Sequence, residues 1–475
     1  MLFSSTVFLF IFLPLTLFFY YIADRKFKNY FLLAASLIFY AWGEPKFIFV
    51  MLVSIFANYV FGLLADRFRE KKAAGRAVIV AMCLWNISIF FVYKYLNFTI
   101  TQIDRFFGAD IPLTKFTLPI GISFFTFQAM SYVIDVYRKN GEVQKNPLSV
   151  ALYITFFPQL IAGPIVRYET VAREIKDRKE TLSDFYKGLK RFVYGLCKKL
   201  ILSNSMAVVA DLSFNANDLS SVSVVGAWLG MLCYTLQIYY DFSGYSDMAI
   251  GLGLMFGFHF NENFDHPYAS KSVSEFWRRW HISLGTWFRD YVYFPLGGSR
   301  VKSRARLVFN LFVVWFLTGV WHGASWNFIF WGLFYFVILT FEKLSGIPKK
   351  LTKKPAVFIY RVFTLLCVMF GWVLFRSEGL RRAYQYFRAM FGTYGNPVTD
   401  PSVVYNALMY LPLIVICCVL SFPVVRKIRA RLDYMFTGLE NCVLFGECCL
   451  MILLAVTALS YAVCVSYNPF IYFNF

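Results

Sequence analysis

All four histidines of this 475-residue chain lie in one region, between His259 and His322. An imidazole gains or loses a proton near neutral pH, so histidines are well suited to general acid–base catalysis. His322 is the strongest candidate because it lies inside an apolar run, where an ionisable side chain is usually functional. His281 lies in an aromatic segment and, judged alone, is equally well explained as a surface histidine. His259 and His266 have no such context and are interpreted as structural.

The segment that carries His281 predicts an amphipathic helix. Ser272 and Glu275 have the spacing of a capping box, in which two side chains bind backbone N–H groups of the first turn. Gly297-Gly298 is expected to end the helix. Between these limits one helical face carries Trp277, His281, Leu284 and Phe288.

A second predicted helix runs from Leu307 to His322. Its fifteen residue steps correspond to about 22 Å, against about 30 Å for the hydrocarbon core of a bilayer. His322 is therefore expected within the membrane, past its midpoint from the basic side. Gly319 and Gly323 are spaced to let another helix or a substrate approach closely.

Arginines near these two helices are candidates for binding anionic phosphates, such as those of coenzyme A, or an acidic carrier protein. The candidates are Arg278, Arg279, Arg289 and Arg300. Arg300 begins a dense basic turn that ends at Arg306. The simpler explanation of that turn is the excess of basic residues found in cytoplasmic loops of membrane proteins.

Composition indicates an all-α, polytopic integral membrane protein. Hydrophobic residues make up 59% of the chain and aromatic residues 21%, and the mean hydropathy is +0.57. Apolar runs of near-spanning length alternate with short charged loops, which excludes a soluble core. We expect about 11–12 transmembrane helices with re-entrant and interfacial helices in one domain, residues 1–475, whose catalytic core covers about 116–345. Residues 148–165 are interpreted as re-entrant because of Pro158 and Gly163-Pro164.

The net charge of +20 does not indicate nucleic-acid binding, because the basic residues lie in loops between apolar runs. Their distribution predicts that both chain ends, including the tail 468–475, lie outside. The external segment Arg376–Arg388 breaks the pattern and is expected to dock a partner or an anionic polymer, or to lie among lipid headgroups.

Two carboxylates and nearly all of the ten cysteines also lie in apolar runs. Asp241 and Asp247 are expected to pair with an arginine of the segment 278–289, and a proton path is the alternative. The ten cysteines have no metal-ligand spacing, so they are interpreted as small buried apolar residues and no metal site is predicted.

With these residues identified, the chain resembles the membrane-bound O-acyltransferase (MBOAT) family, in its bacterial alginate O-acetyltransferase-like branch. The motifs are Phe276-Trp277-Arg278-Arg279-Trp280-His281, Trp287-Phe288-Arg289-Asp290-Tyr291, Pro295-Leu296-Gly297-Gly298 and Gly319-Val320-Trp321-His322-Gly323-Ala324. The resemblance implies tilted helices around a thinned centre, with a catalytic histidine matching His322 and a second motif histidine matching His281. It also implies transfer from a cytoplasmic thioester, acetyl-CoA or an acyl-carrier thioester, with no bound cofactor. The acceptor would be an extracytoplasmic hydroxyl, often reached through an extracytoplasmic partner protein.

The predicted function is therefore O-acylation, with acetyl favoured, of a cell-surface polysaccharide from the bacterial cytoplasmic membrane. His322 would act as general base, while His281 would orient the donor or stabilise the developing charge. Within the same superfamily, D-alanyl transfer to teichoic acid from a carrier protein and peptidoglycan acetylation remain open. A glycan transporter or flippase is the main non-enzymatic alternative, although no inverted repeat is visible. A scaffold for polysaccharide export would need no intramembrane histidine.

Overall fold

The computed structural model describes residues 1–435, 439–465, 467–469 and 471, which form helices joined by short loops. The chain divides into two compact units. Unit 1 comprises Met1–Phe192 with Tyr245–Asn261, and unit 2 comprises Val193–Gly244 with Glu262–Phe475. A single domain over residues 1–475, with a catalytic core at about 116–345, stays a prediction.

Unit 1 begins with apolar helices and ends with amphipathic ones. In order these are α1 (Leu13–Ile22), α2 (Lys28–Gly43), α3 (Ile48–Phe68), α4 (Lys72–Phe90), α5 (Leu96–Phe107), α6 (Ile122–Tyr137), α7 (Pro147–Thr155), α8 (Phe157–Leu160) and α9 (Tyr168–Lys176). The chain then leaves unit 1 through α10 (Leu182–Cys197), forms α11 (Asn204–Phe214) and re-enters unit 1 along α12 (Val224–Met255).

The region interpreted as re-entrant contains two short helices rather than a spanning one. Helix α7 ends at Thr155 and α8 begins at Phe157, because Pro158 cannot continue the hydrogen-bond ladder of the preceding turn. The freed N–H of Phe157 donates to the hydroxyl of Ser36 at 3.1 Å. Such a side-chain partner lets a non-helical backbone remain buried within membrane protein.

Unit 2 contains the remaining helices. They are α13 (Val273–Arg279), α14 (Ile282–Phe288), α15 (Arg304–His322), α16 (Trp326–Ser345), α17 (Ile347–Lys350), α18 (Lys354–Arg376), α19 (Leu380–Met390), α20 (Pro401–Leu420), α21 (Val424–Met435) and α22 (Glu440–Cys464). Glycines bring α15 and α16 unusually close, as the sequence predicts. A Cβ atom on Gly319 would lie 2.5 Å from the carbonyl oxygen of Phe328, and one on Gly332 would lie 2.4 Å from that of Trp315.

Among the described residues, eight helices are long and apolar enough to cross a membrane, and the apolar helix Phe8–Ile22 is shorter. The prediction of an all-α, polytopic membrane protein is confirmed. Some of the predicted crossings, such as residues 30–42 and 116–137, form the shorter helices α2 and α6. Of the C-terminal tail, residues 470 and 472–475 lie outside the described part of the chain.

The predicted partners of the two apolar-run carboxylates are wrong. Asp241 pairs with Lys199 at 2.7 Å, and Asp247 pairs with Arg191 at 2.8 Å. Both basic residues lie on the segment from α10 to α11, immediately before α12 in the chain. The arginines of 278–289 are unsuitable partners because they are exposed or bind acidic residues nearby.

The arginine segment 376–388, predicted to be external, is held largely by contacts within unit 2. Arg376, at the end of α18, pairs with Asp211 at 2.9 Å. Arg382 donates to the carbonyl oxygen of Phe214 at 3.1 Å, and Arg388 binds the turn that follows α19. Intrachain contacts thus account for much of this positive charge, and docking of a partner or polymer here stays a prediction.

Candidate active site

His322 is the last residue of α15. Ser303 caps the other end of this helix by accepting the N–H of Arg306 at 3.1 Å. The imidazole is 7% exposed, and it meets the rings of Trp331 and Phe375 nearly at right angles, with centroids 4.9 and 5.1 Å away. Helices α15, α16 and α18 therefore hold this side chain in an aromatic cage.

The position at a helix C-terminus matters for proton transfer. Aligned peptide dipoles place a partial negative charge at the end of α15, where the last carbonyl groups have no helical partner. An imidazole that accepts a proton there becomes positive beside this negative end. Stabilisation of that charge is worth about 0.3–2 kcal/mol, depending on burial. The local structure thus suits His322 to the role of proton acceptor.

His281 does not lie within a helix, and the predicted continuous helix from Ser272 is wrong. Helix α13 ends at Arg279 and α14 begins at Ile282. His281 lies between them with a φ of +46°, in the left-handed region that a non-glycine residue rarely adopts. Such strain costs about 1–3 kcal/mol and persists only where the surroundings impose it.

Asn263 imposes this conformation from eighteen residues upstream. Its backbone carbonyl accepts the N–H of Ile282 at 2.9 Å, and its side-chain oxygen accepts the N–H of Ser283 at 3.2 Å. The break in the helix therefore leaves the first N–H groups of α14 with partners. Asn263 is fully buried, and its position in the chain gives no periodic signal of this contact.

The same asparagine fixes the tautomer of His281. The side-chain oxygen of Asn263 lies 3.1 Å from Nδ1 of His281. This atom must be the oxygen, because it also accepts a backbone N–H, which can only donate. Nδ1 therefore carries the hydrogen, and Nε2 of the neutral ring is an acceptor. Burial lowers the pKa of His281 to about 3, so the ring stays neutral at physiological pH.

Trp321 connects the two histidines. Its ring centroid lies 6.1 Å from that of His281 and 4.9 Å from that of His322. Both histidines line one cavity of about 320 Å³. The structure thus brings together the two histidines that the sequence analysis singled out, although 40 residues separate them in the chain.

The wall of this cavity is mainly apolar, with several aromatic side chains, and its basic residues are exposed. Trp277, Trp280 and Trp315 contribute to the aromatic part. The basic lining residues are Arg278, Arg289 and Lys343. Arg289 also pairs with Asp290 at 2.8 Å.

Two of the four predicted donor-side arginines do not line the cavity. Arg279 pairs instead with Glu275 at 2.8 Å and with Asp265 at 3.4 Å. Arg300 is exposed in the loop that precedes α15. Sequence reasoning missed Lys343, whose only signal is its place directly after the apolar run of α16.

Glu342 is a second residue that sequence reasoning missed. It is 3% exposed, and its carboxylate accepts the N–H groups of Val273 and Ser274 at 2.9 and 2.8 Å. These are orphan donors of the first turn of α13, where a negative charge is favourable. Ser272 also caps this turn as predicted, by accepting the N–H of Glu275 at 3.1 Å. Glu342 thus anchors the short helix that leads to His281.

A second cavity, of about 20 Å³, lies against His322. Its lining residues are Ile238, Phe242, Trp280, His322, Trp331, Trp372, Phe375 and Ile471. His322 and Trp280 line both cavities and so separate them. The imidazole therefore borders two cavities, one wide with basic residues and one narrow and apolar.

Comparison with known proteins gives a consistent picture. The sequence model of the membrane-bound O-acyltransferase family matches residues 77–376. The chain is 42% identical over 398 residues to a "Probable alginate O-acetylase" of Azotobacter vinelandii, covering 82% of this chain and 78% of that protein. It is 34% identical over 429 residues to a peptidoglycan O-acetyltransferase of Helicobacter pylori, covering 83% and 80%. A teichoic acid D-alanyltransferase of Bacillus subtilis is 32% identical over 278 residues, covering 54% and 69%.

Proposed function

This chain belongs to the membrane-bound O-acyltransferase family, and we propose that it acetylates hydroxyl groups of a polysaccharide outside the bacterial cytoplasmic membrane. The donor would be a cytoplasmic thioester, either acetyl-CoA or an acyl-carrier thioester. Two relatives that match more than four-fifths of the chain are named for acetylation of alginate and of peptidoglycan, which are both carbohydrate polymers. The D-alanyltransferase matches a smaller share of the chain. The comparisons therefore favour acetyl over D-alanyl as the transferred group.

The observation that carries this proposal is the position of His322 between two cavities of different character. A thioester donor enters the large cavity, where Arg278, Arg289 and Lys343 suit the phosphates of coenzyme A or an acidic carrier. The acceptor hydroxyl reaches His322 from the narrow side. The base thus lies where the two substrates meet.

In the proposed reaction, the hydroxyl oxygen attacks the thioester carbonyl carbon while the imidazole of His322 takes the hydroxyl proton. An ester bond forms, the carbon–sulfur bond breaks and the thiolate leaves. The imidazolium then returns its proton to the thiolate, so the histidine is regenerated. The C-terminus of α15 stabilises the positive charge that His322 carries during the reaction.

His281 has an orienting role in this proposal. Its Nδ1–H is engaged by Asn263, and its neutral Nε2 can only accept a hydrogen bond. A hydrogen-bond acceptor cannot stabilise a developing oxyanion. The contacts of His281 therefore favour an orienting role over stabilisation of the developing charge. His281 would then accept a hydrogen bond from the acceptor hydroxyl or from an amide of the donor.

An extracytoplasmic acceptor protein is the partner we propose, as the family resemblance implies. Such a partner would carry the acetyl group from the membrane enzyme to the polymer. Its active-site hydroxyl would be the immediate acceptor at His322.

The test is acetyl transfer from labelled acetyl-CoA in membranes that carry the wild-type protein, His322→Ala or His281→Ala at matched protein levels. Loss of a general base should lower transfer by about 10²–10⁴-fold in His322→Ala. His259→Ala is the matched control, because His259 is 53% exposed and pairs with Glu174 outside the two cavities. Wild-type transfer by His322→Ala would disprove the base assignment.

A parallel reaction with a D-alanyl-carrier thioester distinguishes the donors. Transfer of D-alanine in preference to acetyl would replace the acetyl proposal while leaving the acyltransferase in place. Neither a flippase nor a scaffold would cleave either thioester.

A further inference from the structure

The C-terminal segment, defined here as residues 467–469 and 471, binds a buried ion pair. Lys199 and Asp241 lie 2.7 Å apart, and each residue is 1% exposed. The second carboxylate oxygen of Asp241 accepts the backbone N–H of Ile471 at 3.0 Å, and the ammonium of Lys199 donates to the carbonyl of Pro469. A buried ion pair is tolerated only when its remaining hydrogen-bonding capacity is used. The C-terminal segment uses that capacity on both partners.

Further contacts hold the start of the same segment. The side-chain amide of Asn204 donates to the carbonyl of Tyr467 and to the side-chain oxygen of Asn468, both at 3.3 Å. The hydroxyl of Tyr467 donates to Asp211. Polar groups at both ends of the segment thus fix its path along α11 and α12.

This path brings Ile471 to the catalytic residue. Its side chain is 6% exposed and forms part of the wall of the small cavity at His322. The cavity has about the volume that one water molecule needs, but its lining is almost entirely apolar. A water molecule there would have few polar partners besides His322, so the cavity favours dryness.

Water is the competing acceptor for an enzyme of the proposed function. A thioester held beside a general base is hydrolysed whenever water reaches that base in place of the acceptor hydroxyl. The large cavity receives the donor, so the narrow side of His322 decides which nucleophile arrives.

We infer that the C-terminal segment is the acceptor-side wall of the catalytic pocket, and that Ile471 excludes water from His322 and limits the hydroxyl acceptors that reach it. This inference rests on the proposed function, because it requires His322 to act on a thioester. A hydroxyl group attached to a polymer or a protein needs more room than about 20 Å³. The side chain of Ile471 must therefore move aside when the acceptor enters, while the backbone N–H of Ile471 stays bound to Asp241.

Substitutions of opposite volume test this inference in purified protein reconstituted into lipid. Ile471→Ala should raise acetyl-CoA hydrolysis without acceptor by several-fold, because it widens the narrow side of His322. Ile471→Trp should raise the KM for the acceptor by several-fold and leave the KM for acetyl-CoA unchanged. Asn204→Ala, which loosens the segment without lining either cavity, should raise hydrolysis less than Ile471→Ala does. Ile452→Ala is the matched control, because this isoleucine is 61% exposed on α22.

A readout independent of donor and acceptor is hydrogen–deuterium exchange of the backbone amides at residues 318–323. Exchange there should be faster in Ile471→Ala than in the wild type or in Ile452→Ala, because loss of the wall eases local opening. Unchanged hydrolysis, acceptor KM and exchange in both Ile471 variants of an active enzyme would overturn the inference alone. A wild-type protein that neither transfers nor hydrolyses acetyl-CoA would overturn the proposed function. In that case the exchange rates would still show whether Ile471 packs against the end of α15.

Discussion

At the scale of single residues, the neutral state of His281 follows from burial, which lowers the pKa of His281 to about 3. Asn263 supplies an uncharged oxygen to Nδ1. A histidine with so low a pKa does not change charge between pH 5 and 9. The chemistry of the site therefore depends on the choice of an amide, rather than a carboxylate, at position 263.

Asn263→Asp should introduce a new pH dependence. A carboxylate beside Nδ1 favours the protonated ring and raises the pKa of His281 from about 3 towards the neutral range. Protonation then occurs as the pH falls through the raised pKa, and Nε2 is lost as an acceptor. We expect kcat/KM for acetyl transfer to decline more at acidic pH in this variant than in the wild type, because His281 becomes protonated only in the variant.

The measurement is kcat/KM between pH 5 and 9 for the wild type, Asn263→Asp and Asn441→Asp. Asn441 is the control because it is exposed at the start of α22 and lines neither cavity. Identical profiles for all three proteins would show that His281 does not need its neutral form.

Residue types near His322 could be predicted from the sequence, but their conformations could not. A histidine in an apolar run can be recognised from the sequence alone, because burial of an ionisable side chain in a membrane is costly in any protein. The left-handed backbone of His281 depends on Asn263, eighteen residues away, so helical periodicity in the segment after Ser272 gives no sign of it. Tertiary hydrogen bonds here override a local pattern that favours one continuous helix.

At the scale of secondary structure, α13 is a seven-residue helix that contributes Ser274, Trp277 and Arg278 to the wall of the large cavity. Helices this short are unstable alone and need tertiary support. Glu342 supplies it, because its buried carboxylate accepts two N–H groups at the N-terminus of α13 and the hydroxyl of Tyr360 at 3.0 Å. This contact joins α13 to α16 and α18.

Glu342→Ala should destabilise the protein and reduce catalysis together. Removal of the carboxylate leaves buried donors without partners, which costs about 1–3 kcal/mol for each group. The start of α13 would shift and carry Arg278 and His281 out of place. We expect a lower midpoint of thermal unfolding in detergent and a kcat reduced by at least about tenfold, since small displacements of catalytic groups have large effects.

Two variants separate the anchoring role from a general effect of charge. Glu342→Gln keeps one acceptor oxygen and should recover part of both losses. Glu378→Ala, at an exposed carboxylate between α18 and α19, should change neither quantity. A Glu342→Ala protein with wild-type kcat at normal stability would show that α13 does not depend on this contact.

At the scale of the whole molecule, the sequence could predict the cavity whose lining residues are close together in the chain. The large cavity is lined entirely by residues between 274 and 343, which is why one stretch of sequence could indicate it. The small cavity adds residues from α12, α18 and the C-terminal segment to Trp280, His322 and Trp331, and no local pattern connects Ile238 with Ile471. The predicted partners of Asp241 and Asp247 were wrong for the same reason. Several basic residues were available, and the tertiary packing determines which of them lie near the two carboxylates.

The distribution of charge along α15, α16 and α18 leads to a prediction about sidedness. The basic turn at Arg300–Arg306 precedes α15, and the lysines at 349–354 lie between α16 and α18, so both loops flank the same ends of these antiparallel helices. Basic loops remain cytoplasmic. Lys343, which lines the large cavity, lies in the last turn of α16 beside these loops. Donor access is therefore expected only from the cytoplasmic face.

Sealed vesicles of known orientation test this directly, because acetyl-CoA does not cross a bilayer unaided. External labelled acetyl-CoA should be consumed by inverted vesicles and not by right-side-out vesicles, while detergent should make the two preparations equal. Arg278→Gln should raise the KM for acetyl-CoA in inverted vesicles by about tenfold if it loses one charged hydrogen bond to a phosphate. Arg300→Gln, outside the lining of the cavity, is the matched control. Consumption by intact right-side-out vesicles and not by inverted ones would reverse the orientation, and with it the assignment of the wide side of His322 to the donor.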